Sequence, residues 1–237
     1  MTSTQVHTRA RGALGGLLAG LGFFGGIAAT KATEKSEYPR PGTPPEEVQK
    51  YFTESTTAAR LSVLGHAVSV SGLARFTGTV AGLAKRAGKG SGALRAAALT
   101  GGGFAVATQM LSASSTLLLT SKDNHLQTTK DLREVSYHLG GHLHGVGFGL
   151  LTGALGIAGL RSGELPKPVA IASLVASPLG ILGPLTLLKK QTMVALPIGH
   201  LLSLLVSGAA GVTLARGSRP RQLTDGSAKA ADKEETS

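Results

Sequence analysis

The chain has 237 residues, of which 42% are hydrophobic and only 16% are charged, and it contains 34 glycines and no cysteine. The absence of cysteine excludes disulfide bonds and thiolate chemistry. A formal net charge of +11 would suggest nucleic-acid binding in a soluble domain. Here the basic residues stand mostly at the ends of apolar runs, and the aromatic content of 4% leaves few side chains to stack on bases. We therefore predict no nucleic-acid partner and expect the lipid bilayer to be the main environment.

Long apolar runs lie between the charge clusters. A helical run of about 20 residues spans a bilayer core of ~30 Å, and a helix satisfies its own backbone hydrogen bonds in lipid. The alternation of polar and apolar residues that is typical of a membrane barrel is not seen. The sequence therefore predicts an all-α fold, a multi-pass transmembrane helix bundle of about six spans with glycine-rich close helix packing. The predicted spans are residues 12–30, 61–84, 96–119, 135–160, 169–188 and 192–215, and all of them belong to a membrane domain over 12–216.

The chain begins with a basic segment, residues 1–11, which we expect to be cytoplasmic. Gly12, Gly16 and Gly20 follow at helical spacing, a pattern that favours close approach of a neighbouring helix. A basic start, an apolar run and small residues also fit a signal peptide, so cleavage is the alternative interpretation. Both alternatives place residue 35 outside.

Residues 31–60 form the predicted external loop. Its proline-rich part, residues 38–45, is expected to be stiff and extended. Thr43, followed by two prolines and two glutamates, is a helix start, so a short surface helix is predicted over 46–57.

Spans two and three carry polar side chains at membrane depth. Arg75 stands too far from the end of its span to be fully outside the membrane, so it either extends to the headgroups or lies as a buried charge on a solute path. Gln109, Ser112 and Thr116 share one helix face. These four residues are the predicted members of a polar pathway.

The fourth span has glycine at every fourth position. Gly141, Gly145, Gly149 and Gly153 therefore lie on one helix face, where a neighbouring backbone can approach closely. The neighbour is either another helix of the same bundle or a second protein chain, which leaves a homo-oligomer or a complex with other membrane subunits as alternatives.

Four histidines are expected in the outer third of the membrane: His66, His138, His142 and His200. Imidazole is a common ligand of metals and haem, and ionisable groups within a span often mark a functional site. We expect these histidines to form hydrogen bonds without any cofactor. The alternatives are a metal site, with haem or a transition metal as cofactor, and a proton-coupled or solute path.

The loops predict the orientation. Arginine and lysine are frequent in the turns at 85–95 and 161–168 and after residue 215, which places these segments and both termini in the cytoplasm of a cell-membrane protein. The tail, residues 217–237, is polar and is predicted to be disordered.

Three short segments carry a resemblance to known proteins. They are residues 45–52 (PEEVQKYF), the basic pair Lys85 and Arg86, and residues 163–167 (GELPK). In this order the chain resembles a broad group of actinobacterial six-helix integral membrane proteins of uncharacterised function, over about residues 12–217. The resemblance implies a cell-membrane location and the helix count, and it implies no activity.

No set of residues typical of an enzyme is present, so we expect a non-enzymatic protein. The first hypothesis is a cell-envelope membrane protein with small-solute transport or an accessory or structural role. The second is a membrane redox protein that binds a metal or haem through the outer histidines. The third is a subunit that packs into a larger membrane complex through its glycine faces.

Overall fold

The computed structural model describes residues 10–187 and 195–217, and every regular element in these ranges is helical. The predicted basic N-terminal segment lies largely, and the predicted disordered tail almost wholly, outside these ranges. The helices are α1 (Gly15–Thr33), α2 (Pro45–Glu54), α3 (Thr56–Lys85), α4 (Ser91–Leu118), α5 (Leu126–Tyr137), a π-helical segment (His138–Leu143), α6 (His144–Ser162), α7 (Lys167–Ile181), a 3-10 turn (Gly183–Leu187) and α8 (Ala195–Gly217).

Four helical stretches of the described chain are long and apolar enough to cross a membrane. They are Ala10–Thr33, Leu126–Ser162, Lys167–Leu185 and Pro197–Gly217. The stretch Leu126–Ser162 joins α5, the π-helical segment and α6 into one rod of 37 residues. The predicted all-α multi-pass bundle is confirmed at this level.

The long helices form a closed ring. Each packs against the next in chain order, α1 on α3, α3 on α4, α4 on α6, α6 on α7 and α7 on α8, and α8 returns to α1. Neighbouring helices are antiparallel. In the pair α1 and α8, Gly16 faces the Ser207 carbonyl, whereas Gly211, which comes later in α8, faces the carbonyl of Ala13, which comes earlier in the chain than Gly16. We call the end that carries α2 and α5 the cap side and the opposite end the tail side.

Glycine allows a close helix contact between α1 and α3. A Cβ atom on Gly22 would lie 2.5 Å from the backbone nitrogen of Ser69, and one on Gly72 would lie 2.5 Å from the backbone nitrogen of Ala19. Such distances are shorter than any van der Waals contact, so a larger residue would push the two helices apart.

The glycines of the fourth predicted span contact α7. A Cβ atom on Gly149 would lie 2.6 Å from the Ser177 carbonyl oxygen, and one on Gly153 would lie 2.7 Å from the Ser177 hydroxyl. The Gly145 carbonyl oxygen lies 2.6 Å from the position of a Cβ on Gly180. Gly141 belongs to the π-helical segment. In the described chain, the neighbour of Gly145, Gly149 and Gly153 is thus a helix of the same molecule.

A small aromatic core stabilises the cap. Tyr51 and Phe52 of α2 are buried, and Tyr38 packs edge-on against both rings. The short helix predicted here from Thr43 and the prolines is present as α2, from Pro45 to Glu54. Burial, reinforced by the nearby Glu34 carboxylate, raises the pKa of the Tyr51 hydroxyl above its ordinary value.

On the tail side, polar contacts join the two turns. The Arg86 guanidinium pairs with Glu164 through both of its carboxylate oxygens, at 2.6 and 3.2 Å. Arg161 donates a hydrogen bond to the Lys89 carbonyl oxygen at 3.1 Å. The turn between α3 and α4 is therefore tied to the turn between α6 and α7.

Candidate functional site

Three histidines from three different helices meet inside the ring. They are His66 of α3, His144 of α6 and His200 of α8, and we call them the histidine cluster. The rings of His144 and His200 have their centroids 4.8 Å apart. His66 is connected to His200 through the ring of Phe23, which contacts both. Phe23 of α1 stacks on His200 at 4.9 Å and meets His66 edge-on at 6.1 Å.

Backbone carbonyls fix the orientation of two of these rings. The Nδ1 atom of His144 lies 2.9 Å from the Ala105 carbonyl oxygen, and that of His66 lies 2.7 Å from the Ser62 carbonyl oxygen. Because a carbonyl oxygen only accepts, Nδ1 must carry the hydrogen, and Nε2 of the neutral ring is then an acceptor. In the described part of the chain the buried Nε2 of His200 has no hydrogen-bond partner. The cluster therefore offers ring nitrogens to a further ligand.

The cluster lies near the middle of the bundle. Ala105, which binds His144, stands close to the centre of α4 (Ser91–Leu118). The sequence spacing had predicted the outer third for His66 and His200. His66 is the eleventh residue of α3, which begins on the cap side at Thr56, and the depth expected for these histidines in a membrane stays a prediction.

A row of buried polar side chains leads from the cap side to the cluster. Ser112 donates to the Ser136 carbonyl oxygen at 2.8 Å, and the hydroxyls of Thr116 and Ser136 lie 2.9 Å apart. One turn deeper, the amide nitrogen of Gln109 lies 3.5 Å from the Ser69 hydroxyl. We call Ser69, Gln109, Ser112, Thr116 and Ser136 the polar seam. Ala105, the partner of His144, follows one turn below Gln109 on α4.

The seam has an unused acceptor. The side-chain oxygen of Gln109 is buried and has no hydrogen-bond partner among the described residues. A buried amide oxygen without a partner is costly, by about 1–3 kcal/mol. Gln109 and His200 therefore both present polar atoms that a bound water or solute would satisfy.

Below the cluster the interior is mainly apolar. Phe76, Phe148, Leu151 and Leu155 are each no more than 1% exposed and fill the ring toward the tail side. Thr152 in this half donates to the Phe148 carbonyl oxygen of its own helix at 3.1 Å, whereas the buried Ser207 hydroxyl has no partner among the described residues. The connected row of polar side chains therefore lies on the cap side of the cluster, and large apolar side chains fill most of the interior on the tail side.

Arg75 does not join the seam. Its side chain is exposed, and its Cβ lies beside Gly15, near the tail-side end of α1. This position suits an arginine that extends along the helix to the headgroup layer. Of the four predicted pathway residues, the structure brings Gln109, Ser112 and Thr116 together and leaves Arg75 apart.

The predicted histidine set is divided between two places. His138 and His142 lie in the π-helical segment, with ring centroids 5.4 Å apart, and Tyr137 contacts both rings. His66 and His200 belong to the cluster, together with His144, which sequence reasoning had not assigned as a ligand. Residues two apart on a helix point to nearly opposite sides, so His142 and His144 face different surroundings. This spacing was the signal in the sequence that His144 belongs to a different site from His142.

The metal site predicted from the histidines stays a prediction. Within the described ranges, no group of three or more His, Asp or Glu side chains has the arrangement needed to hold a metal ion. What the cluster offers as placed is hydrogen bonding and proton acceptance by neutral imidazole.

No protein-family model, curated protein or solved structure gives a significant match to this chain. The class of protein is therefore inferred from the fold alone. The chain is an all-helical bundle with helices long and apolar enough to cross a membrane, which is compatible with an integral membrane protein. One row of its buried polar residues, the polar seam, leads to the histidine cluster.

Proposed function

We propose that the chain is a non-enzymatic, six-span protein of the cell membrane that moves a small polar solute by way of the polar seam and the histidine cluster. The observation that carries this proposal is the asymmetry of the interior. Connected buried polar groups run from the cap side to the middle of the bundle, and large apolar side chains fill most of the other half. This asymmetry supports a solute site that is reached from one side of a membrane at a time.

The two additional spans in this proposal are α3 and α4. They have 30 and 28 residues, long enough to cross a ~30 Å core, and they stand in the ring between helices that are apolar enough to span. They carry four of the five seam residues, and their polar content makes them less apolar than the other four. An orientation with both termini in the cytoplasm follows from the basic turns on the tail side.

Two helices next to the cluster have interrupted hydrogen bonding. The π-helical segment His138–Leu143 directly precedes His144, and π-helical turns occur frequently at functional sites. On α7, Pro178 lacks the backbone N–H that the helix would use, which favours bending there. Gly180 of α7 packs against the Gly145 carbonyl of α6, so the interrupted part of α7 lies beside the end of the π-helical segment. A conformational change that opens the tail half would begin at these two interrupted helices.

Cysteine accessibility tests the proposal without knowledge of the solute, because the chain has no cysteine. Single cysteines at Ser112 and Ser69 replace seam residues, and matched cysteines at Thr152 and Ser173 replace buried hydroxyls of the tail half. In proteoliposomes of known orientation, a membrane-impermeant thiol reagent added on the cap side should label Ser112→Cys and Ser69→Cys much faster than the other two.

The outcome that would contradict the proposal is equally clear. Equal protection of all four cysteines from the cap side would mean that the seam is a packing feature and not a solute site. A reagent added on the tail side should label Thr152→Cys only in molecules that have opened there. The fraction labelled from that side measures how often the alternative state is visited.

A metal-binding role is the second candidate. The observation that favours it is the anchoring of Nδ1 of His66 and His144 by carbonyls, since histidines that bind metals usually donate their other ring nitrogen in this way. The test is elemental analysis with a reduced-minus-oxidised absorption spectrum of protein purified in mild detergent. Stoichiometric metal or a Soret band that is lost in His144→Ala and His200→Ala would favour this role, and a colourless, metal-free protein would reject it.

A further inference from the structure

A cleft on the cap side, away from the histidine cluster, has the features of a second binding site. It has a volume of about 500 Å³ and lies between the proline-rich loop and α5. We call it the cap cleft. Its charged and titratable lining residues are Arg40, Lys130, Arg133, Glu134, Tyr137 and His138.

Arg133 is held in place without being neutralised. Its guanidinium carbon lies 5.2 Å from the centre of the Tyr38 ring and 5.8 Å from that of Tyr137. One of its terminal nitrogens donates to the Pro39 carbonyl oxygen at 2.8 Å. Its Nε–H donor is buried and has no partner among the described residues. A guanidinium fixed between two rings keeps its planar set of donors ready for an oxyanion.

The other charges of the cleft leave a positive excess. In the part of the chain that the structure describes, neither Lys130 nor Arg133 forms an ion pair. Arg40 pairs with Glu37, which lowers the pKa of the Glu37 carboxyl and keeps that pair ionised. Glu134 also reaches the cleft and offsets one positive charge. A ligand with one or two negative charges would therefore balance the cleft.

We propose that the cap cleft binds a phosphate-type oxyanion, with Arg133 as its main ligand and with Lys130 and Arg40 at the rim. Guanidinium and ammonium donors that point into one cavity suit a tetrahedral anion, which accepts hydrogen bonds from several directions. The cleft is much larger than a bare phosphate, so it has room for the molecule that bears the group. This proposal rests on α5 and the proline-rich loop and does not depend on the function proposed for the histidine cluster.

The phosphate has two sources, a free solute or the headgroup of a lipid. Both fit the chemistry, because the cleft lies where the chain leaves the membrane on the cap side. The two sources are distinguished by separate titrations of the full chain in mild detergent. One uses inorganic phosphate, and the other uses a short-chain phosphatidylglycerol with the matching phosphatidylcholine as the zwitterionic comparison.

Direct binding is measured by phosphorus NMR and by the shift in unfolding temperature, at ionic strength held constant with sodium chloride. We expect saturable binding by the wild-type chain that weakens about tenfold or more in Arg133→Gln, since a hydrogen bond to a charged group is lost. Because Arg133 packs between two rings, its replacement also risks the fold. The exposed rim residues provide a second variant, Arg40→Gln combined with Lys130→Gln, for which we expect a similar loss. Lys122→Gln, an exposed lysine outside the cleft, is the matched control and should bind like the wild type.

Each outcome decides the proposal. Saturable binding of inorganic phosphate that depends on Arg133 or on the rim pair supports a free solute. Binding of phosphatidylglycerol alone, with the same dependence, supports a lipid headgroup. No saturable binding of either, or equal binding by all variants, overturns the proposal. The outcome of these binding experiments does not affect the cysteine labelling of the polar seam, so either proposal can be rejected while the other stands.

Discussion

The imidazole rings of His144 and His200 lie 4.8 Å apart at the centre of the bundle, although they belong to α6 and α8, which are separated in the sequence by α7. His144 is 1% exposed and is anchored by the Ala105 carbonyl on α4. The contact therefore ties three helices of the ring together at the level where the polar seam ends.

Replacing His144 should destabilise the bundle. His144→Ala removes a buried ring and its hydrogen bond to the Ala105 carbonyl oxygen, which still accepts from the Thr108 hydroxyl at 3.2 Å. The two losses together cost about 2–4 kcal/mol. His138→Ala, an exposed ring in the preceding π-helical segment, should change stability by less than about 0.5 kcal/mol. The measurement is unfolding in mild detergent followed by circular dichroism. Equal stability of the two variants would mean that the histidine cluster does not contribute to the stability of the bundle.

Two glycines of α1 should respond in opposite ways to the same substitution. Gly22→Ala places a Cβ 2.5 Å from the backbone nitrogen of Ser69 and forces α1 away from α3, at a cost of about 1–3 kcal/mol. Gly20→Ala meets no atom within 4 Å and should be neutral or slightly stabilising, because alanine favours the helix. The comparison is made by unfolding temperature. A loss at Gly20 as large as that at Gly22 would place the close packing elsewhere.

The cap should lose stability at high pH through Tyr51. Its pKa is raised by burial, so the fold favours the neutral hydroxyl. The contribution is therefore complete below the ordinary tyrosine pKa of about 10 and is lost as the pH rises above it. Tyr51→Phe cannot ionise, so the wild type should fall in stability relative to this variant above about pH 10. Parallel unfolding curves for the two chains at pH 9 and pH 11 measure this difference, and an unchanged difference would contradict the prediction.

The ion pair between Arg86 and Glu164 should contribute little. Its side chains are 38% and 27% exposed, so water and salt weaken the attraction, and pairs of this kind contribute about 0–1 kcal/mol. Glu164→Gln should therefore shift the unfolding temperature only slightly, and the shift should shrink further in 0.5 M salt, at roughly half the Debye length of physiological salt. A loss of several kcal/mol would show that this contact holds the two tail-side turns in place.

The helix positions were largely predictable because they depend on local pattern. The start of α2 followed from Thr43 and the prolines, and the shared face of Gln109, Ser112 and Thr116 followed from helical spacing. The start of α5 was not predicted. Residues from Leu126 onward read as a polar loop, and they become helical because α5 packs on α2 and α4 and continues without a break into α6.

The residues that contact the histidines could not be predicted from the sequence. Helical spacing says which residues share a face, but it does not say which face turns toward which neighbour. The order of helices around the ring decides that His66, His144 and His200 meet, and the closure of α8 on α1 brings Phe23 onto His200. The same order leaves His138 and His142 near the cap.

Composition and periodicity by themselves determined that this chain is an all-helical bundle with membrane-length apolar helices, because burial in lipid selects for local apolar runs. Only the tertiary structure decided where the polar atoms converge. The polar seam, the histidine cluster and the cap cleft each combine residues from helices or loops far apart in the chain. Their positions depend on how closely the helices approach one another, which is a property of packing and not of any single segment.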